Sequence, residues 1–256
     1  MLISKRFKKV LIDIAASRTI SDLCSKVLPP FVPIFMLHRI ENESLGIKGT
    51  SDQFLRDALS YLRDSGYEFI ALSELVSRLE DKVDLPKKAV CFTLDDGFWD
   101  QAEIAAPIFQ QYSCPATFFL TSGFIRGDDW LWHSKVEFLV ESSNNLSRDG
   151  LRSVFGYEID SGYPDLAESI AFTLKKYDIK TIHRKVAELA KMLDIELPVD
   201  PPKKYRPIVQ EDIEKLRLMG MEIGPHSVSH PVFANESEIT VRREINQSKA
   251  HLDVLT

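Results

Sequence analysis

Apolar residues along this chain gather in short runs that alternate with segments of helical spacing. The clearest run is Ala89-Val90-Cys91-Phe92-Thr93-Leu94, bounded by Lys87-Lys88 before it and by Asp95-Asp96-Gly97 after it, as expected of a buried strand. Residues 32–37 form a second run and read as the first core strand, ending in His38-Arg39. Residues 52–65 carry Phe54, Leu55, Ala58, Leu59 and Leu62 at helical spacing, with Gly66 as a stop. A short strand is expected at 67–70, and Ser73 is expected to cap a helix bearing Leu75, Val76 and Leu79. A helix over 102–111 should kink or break at Pro107, and residues 116–120 read as another strand. Strand and helix thus alternate, which argues for parallel βα units.

Residues from about 124 to 207 break this rhythm. Trp130, Trp132, Val136, Phe138 and Leu139 suggest an aromatic-rich helical segment, and further helices are expected over 166–177 and 182–193. The stretch lacks strand signals and ends at Pro198, Pro201 and Pro202, so it reads as a helical insertion rather than a unit with its own core. Alternation resumes with a helix over 209–219, Ile213 and Leu216 inward and Gly220 closing it. A strand at 221–224 then runs into Pro225-His226-Ser227-Val228-Ser229-His230-Pro231. Residues 238–255 read as one more amphipathic helix, with Ile245, Ala250 and Leu252 apolar.

Composition narrows the class. The chain has 256 residues, 44% of them hydrophobic, which is ordinary for a globular protein with ample core. A net charge of -6 argues against a nucleic-acid partner, which calls for a basic stripe. Cys24, Cys91 and Cys114 are scattered and suggest neither a disulfide framework nor a cysteine metal site. Residues 1–31 form a lysine-bearing extension in which Ile3, Phe7, Val10, Leu11 and Ile14 recur at helical spacing. A helix packed on the domain is the favoured reading over a membrane-surface helix, and the segment is a poor signal peptide. The expected location is the cytoplasm.

Two pairs of residues carry candidate chemistry. Asp95 and Asp96 end a buried strand, where α/β folds place reactive groups, although an Asp-Asp-Gly by itself is more often a capping turn. His226 and His230, spaced i, i+4, would share one face of a helical turn and could bind one metal. The pattern is not that of zincins, because Ser227 stands where their glutamate follows the first histidine. Both pairs follow strands of one βα series and should reach the same rim of the sheet. Two imidazoles and one carboxylate leave coordination positions open and suit Zn²⁺, with Co²⁺, Ni²⁺ or Fe²⁺ also compatible. A second carboxylate beside the ion could take a proton from water.

Thr93-Leu94-Asp95-Asp96-Gly97 followed by His226-Ser227-Val228-Ser229-His230 resembles the first two motifs of the polysaccharide deacetylases (carbohydrate esterase family 4, the NodB-homology domain). Phe35-Met36-Leu37-His38-Arg39 resembles the first strand of bacterial members, and Leu94 replaces the usual Phe. The similarity runs over about 32–255, giving a deacetylase-like domain at 32–256 with the helical insertion inside it. The resemblance implies a distorted (β/α) barrel and metal-dependent removal of acetyl groups from N-acetylglucosamine-type poly- or oligosaccharides. It implies Asp95 as general base, Asp96, His226 and His230 as metal ligands, and Thr93 and Ser227 as supporting positions. His38, at the end of the first strand, is a separate substrate-binding candidate, although a histidine there is more often a hydrogen-bonded strand-end residue. The family places an Arg/Pro groove motif and a Leu-x-His motif, which carries the general acid, downstream of the metal histidines, and neither occurs between His230 and Thr256. His251 lacks the Leu-x-His context. The expectation is therefore a fragment with an incomplete barrel. The alternative is a non-catalytic carbohydrate- or metal-binding module without the acid.

Overall fold

The computed structural model describes residues 31–143, 146–155 and 165–255. The extension at 1–30, Cys24 within it and the proposed membrane-surface helix lie outside these residues. Five parallel strands form the sheet: β1 (Ile34–Leu37), β2 (Glu68–Phe69), β3 (Ala89–Asp96), β4 (Ala116–Leu120) and β5 (Glu222–Pro225). The order is β1-β3-β4-β5, with β2 pairing the first residues of β3. Helices connect the strands, as the alternating pattern implies, so this is an α/β fold with a parallel sheet. Among the described residues β1 and β5 stand at the two ends of this strand order.

β3 is buried along its whole length, which explains its unbroken apolar run. Val90, Phe92 and Leu94 pack with Phe118 and Leu120 of β4 against Leu55, Leu59, Phe109, Ile213 and Leu216 from the helices. Burying one such side chain contributes about 1.5–3 kcal/mol. β1 corrects the expectation of a core strand, since Ile34, Phe35 and Met36 are each about half exposed or more. The reason is topological: among the described strands β1 is bonded only to β3 and stands at the end of the strand order.

Helix α1 (Asp52–Asp64) starts at Ser51, whose hydroxyl accepts from the Phe54 N–H at 3.2 Å. Helix α2 (Leu72–Glu80) starts two positions earlier than a cap at Ser73 requires, so Ser73 is not its cap. The Glu222 carboxylate of β5 takes over that task, accepting from the Ser73 N–H at 3.3 Å and from its hydroxyl. Pro107 breaks the next helix as expected. A π-helical turn over Gln101–Ala105 gives way to α3 (Ala106–Gln111), where a proline in the first turn costs no hydrogen bond.

Between β4 and β5 the chain forms the short helix α4 (Ser122–Ile125), then α5 (Trp132–Ser142), α6 (Arg148–Phe155), α7 (Leu166–Leu174), α8 (Ile179–Leu193) and α9 (Gln210–Leu218). Helices α5 to α8 pack on one another through Trp132, Val136, Leu139, Leu151, Ile170 and Leu189. This apolar cluster is separate from the one around the sheet, so the inserted helices do have a core of their own, contrary to expectation. Helix α10 (Glu238–Leu255) also differs from its apolar reading. Ile245 and Ala250 are exposed, and the buried stripe is Glu244, Ser248 and Leu252. The polar member of that stripe, Glu244, is buried because it has backbone donors to satisfy, as the site shows.

Candidate metal centre

Strand register brings the two sequence motifs together. Asp96 is opposite Leu120 across β3 and β4, and Leu120 is opposite Pro225 across β4 and β5. The His226 N–H then donates to the Leu120 carbonyl at 2.9 Å, and the Thr121 N–H to the Asp96 carbonyl at 3.1 Å. Both motifs therefore reach the same end of the sheet, two strands apart, as the βα reading expects. Asp95 and Asp96 are the last two residues of β3, and both are buried. Asp96 has φ 84° and Gly97 φ 89°, a pair of left-handed residues that turns the chain away beneath the carboxylates.

The histidine segment is a loop, not a helical turn, which corrects the expectation from the i, i+4 spacing. Ser227 and His230 take positive φ values of 64° and 56°. The Ser227 hydroxyl accepts from the His230 N–H at 3.0 Å, so this side chain shapes the loop. Glu244 of α10, 3% exposed, accepts from the N–H groups of Val228 and Ser229 at 2.9 Å each and from the Ser229 hydroxyl at 3.0 Å. On the other side, the Ser122 and Gly123 N–H groups donate to the Ser227 and Val228 carbonyls at 3.0 Å. Gly123 is needed there, because a Cβ would stand 2.6 Å from the Val228 oxygen.

Three imidazoles surround the Asp96 carboxylate. His230 Nε2 lies 3.1 Å from Oδ1, His226 Nε2 lies 3.6 Å from the same oxygen, and His133 Nε2 lies 4.0 Å from Oδ2. The potential ligand atoms of Asp96, His133 and His230 all fall within 4.8 Å of one another. Asp96 Oδ1 and His230 Nδ1 are buried and have no hydrogen-bond partner among the described residues. A buried carboxylate oxygen without a partner costs free energy, and a cation beside it removes that cost, so these residues fit a divalent ion.

Electrostatics separates the two acids. Burial pushes Asp95 above the usual carboxylate range. Burial pushes Asp96 the same way, but the nearness of His230 and His133 outweighs it and holds Asp96 well below that range. Burial also lowers His133 to about 3 and depresses His226, so both are neutral near pH 7 and offer lone pairs. Opposite displacements of adjacent acids are what a ligand and a proton acceptor require.

His38 sits just past β1, exposed, with its backbone carbonyl accepting from Gln101 Nε2 at 2.5 Å. Gln101, buried in the π-helical turn, also donates to the Asp95 carbonyl and so ties the ends of β1 and β3. Arg39 is paired with buried Asp100 at 2.9 Å and lies over the Phe98 ring at 3.9 Å. His251 is hydrogen-bonded through Nδ1 to the Ser122 hydroxyl and through Nε2 to Arg126. Sequence reasoning missed His133, Glu244 and Gln101. Only Glu244 left a trace, as one member of an i, i+4, i+8 stripe with Ser248 and Leu252.

Residues 148–256 match the family model for polysaccharide deacetylase, a span that includes both loop histidines and leaves Asp95 and Asp96 outside it. A Bacillus subtilis (strain 168) protein provisionally named polysaccharide deacetylase YxkH is 28% identical over 92 residues, 36% of this chain. The chain matches about a third, 32%, of that relative's length. Among solved structures, Streptococcus pyogenes deacetylase PplD in complex with acetate superposes with a TM-score of 0.53 at 18% identity, covering 89% of this chain and 70% of that one. The Bacillus cereus polysaccharide deacetylase BC0361 superposes at a TM-score of 0.46 and 14% identity, over 88% of this chain and 47% of that one. Residues 148–256 thus resemble the polysaccharide deacetylase family, and the described chain shares its fold with the Streptococcus pyogenes deacetylase.

Proposed function

We propose that this chain carries the metal-dependent active site of an amidase that removes N-acetyl groups from an N-acetylglucosamine-type poly- or oligosaccharide. The observation that carries the reading is the buried, unpartnered Oδ1 of Asp96 ringed by imidazoles, with a second acid of opposite electrostatic displacement next to it. Asp96, His226 and His230 are the proposed metal ligands, and Zn²⁺ is the first candidate ion. A divalent ion there supplies Lewis acidity toward an amide carbonyl and toward water.

In the proposed reaction Asp95 accepts a proton from the attacking water. The acetyl C–N bond breaks, a C–O bond forms, and acetate and a free amine leave, the amine keeping one proton from water. Exposed Phe233 and Ile245 border a depression lined by His226, Ser227 and His230, a surface on which a sugar ring can rest. His38 is the proposed substrate contact from the other side of the rim. Residues 124–207 are proposed as an insertion within a domain spanning 32–256. The cytoplasmic location stays part of this proposal; no described helix is long and apolar enough to cross a membrane.

The test is acetate release from N-acetylglucosamine oligomers by the full-length gene product, with added zinc or cobalt. The Asp95→Asn variant is expected to lose roughly 10²–10⁴-fold in rate while still binding metal. Binding without turnover in the parent, or a variant as fast as the parent, overturns the enzymatic reading.

A further inference from the structure

His133 belongs to neither sequence motif, yet it is closer to the heart of the site than any other residue of the inserted helices. It is the second residue of α5, and four contacts fix its place. Trp132, immediately before it and 1% exposed, donates its indole N–H to the His230 carbonyl at 3.0 Å. The His133 ring meets the His230 ring edge to face at a centroid distance of 5.3 Å, and the Phe98 ring at 6.1 Å. Its Nε2 faces Asp96 Oδ2 at 4.0 Å. The helix start thus presents a nitrogen to the same carboxylate that His226 and His230 approach.

The distances suit a shared ion better than a direct contact. At 4.0 Å His133 and Asp96 are beyond hydrogen-bond range, so their mutual orientation is not explained by a bond between them. Donor atoms around a tetrahedral zinc, with bonds of about 2.0–2.1 Å, stand roughly 3.4 Å apart. Asp96, His133 and His230 already converge to within 4.8 Å, and a fraction of an ångström of movement by each closes the rest. The unpartnered Asp96 Oδ1 faces His230 and His226, while Oδ2 faces His133, so the carboxylate can address an ion shared with His133 and His230.

We propose that His133 is a ligand of the ion held by Asp96 and His230, supplied to the site by the helical insertion. The inference rests on the metal-dependent reading above and adds a fourth protein ligand to it, so that water would enter as a fifth ligand. The insertion then does more than flank the sheet, because metal occupancy and insertion docking become one equilibrium. Binding the ion draws α5 onto the histidine loop, and loosening α5 weakens the ion.

The experiment uses the full chain loaded with zinc or cobalt(II) and needs no substrate. His133→Phe preserves the packing against Phe98 and Trp132 while removing the lone pair, and His133→Asn is a second variant should that one fail to fold. X-ray absorption at the zinc edge is expected to count one imidazole fewer in either variant than in the parent. Cobalt affinity is expected to fall by more than 10-fold, with a changed visible absorption of the bound cobalt. An unchanged imidazole count and an unchanged cobalt spectrum overturn the inference while leaving the metal site intact. A parent protein that binds neither ion, with Asp96→Ala no different, overturns the metal-dependent reading itself.

Discussion

Trp132 donates its indole N–H to the backbone carbonyl of His230 at 3.0 Å, joining the first residue of the inserted helix to the last histidine of the loop. Both ends of this bond are buried or half-buried, and His230 holds a left-handed backbone conformation there. Trp132→Phe keeps an aromatic ring but removes the donor and leaves a small cavity. It is expected to cost about 1 kcal/mol of stability for the hydrogen bond and more for the cavity, read from urea unfolding at a fixed slope. Metal affinity should fall with it, since the His230 ring loses one of its restraints; an unchanged affinity would separate the helix from the site.

Glu244 satisfies two backbone donors and one hydroxyl of the histidine loop from a buried position on α10. Glu244→Gln keeps the shape but turns part of the acceptor into a donor. Stability is expected to drop by about 1.5–3 kcal/mol, and metal affinity by roughly 10–100-fold, the usual effect of losing a group that orients ligands. Calorimetric zinc titration beside chemical denaturation reads both. Should the loop keep its affinity in this variant, Glu244 has only a packing role.

Asp100 is fully buried and accepts from the Ile40 N–H at 2.7 Å and from Arg39 Nε at 2.9 Å. It fastens the end of β1 to the turn that follows Asp96. Asp100→Ala strands a partly buried guanidinium and a backbone donor, and is expected to cost about 3–5 kcal/mol. The midpoint of guanidinium unfolding measures it, and a loss under about 1 kcal/mol would contradict the assigned role.

Acid should weaken the metal-free fold before the carboxylates titrate. Burial holds His133 down at about 3 and His226 below its ordinary 6.5, so the folded state resists the protons that the unfolded chain accepts. Their contribution is present above about 6.5 and is lost as the pH falls toward 3. Asp95, raised by burial, works in the opposite sense and offsets part of the loss at the acid end. Melting temperature is expected to fall between about pH 7 and pH 5, less steeply in His133→Phe. A flat profile, or equal slopes in parent and variant, would refute this assignment.

Local pattern was enough for most elements. The unbroken run of β3 shows in the sequence because both of its faces are covered, and Pro107 marks its own helix break because a proline removes a donor wherever it stands. The spacing of Ile213 and Leu216 likewise names the buried face of α9. The apolar run of β1 misled, since burial belongs to the neighbours a strand finds and not to its composition.

The sequence by itself determined that two acids close a buried strand, that two histidines follow a later one, and that parallel βα order carries both to one rim. The tertiary structure decided the rest of the centre. His226 and His230 meet Asp96 through a left-handed loop held by Glu244, not through a helical turn, and His133 arrives from an insertion with no motif of its own. Periodicity reports only what neighbours three or four positions away share. A ligand set assembled from residues 96, 133 and 230 depends on long-range packing, and here the Trp132–His230 bond, the strand register and the contact of the His133 and His230 rings supply it.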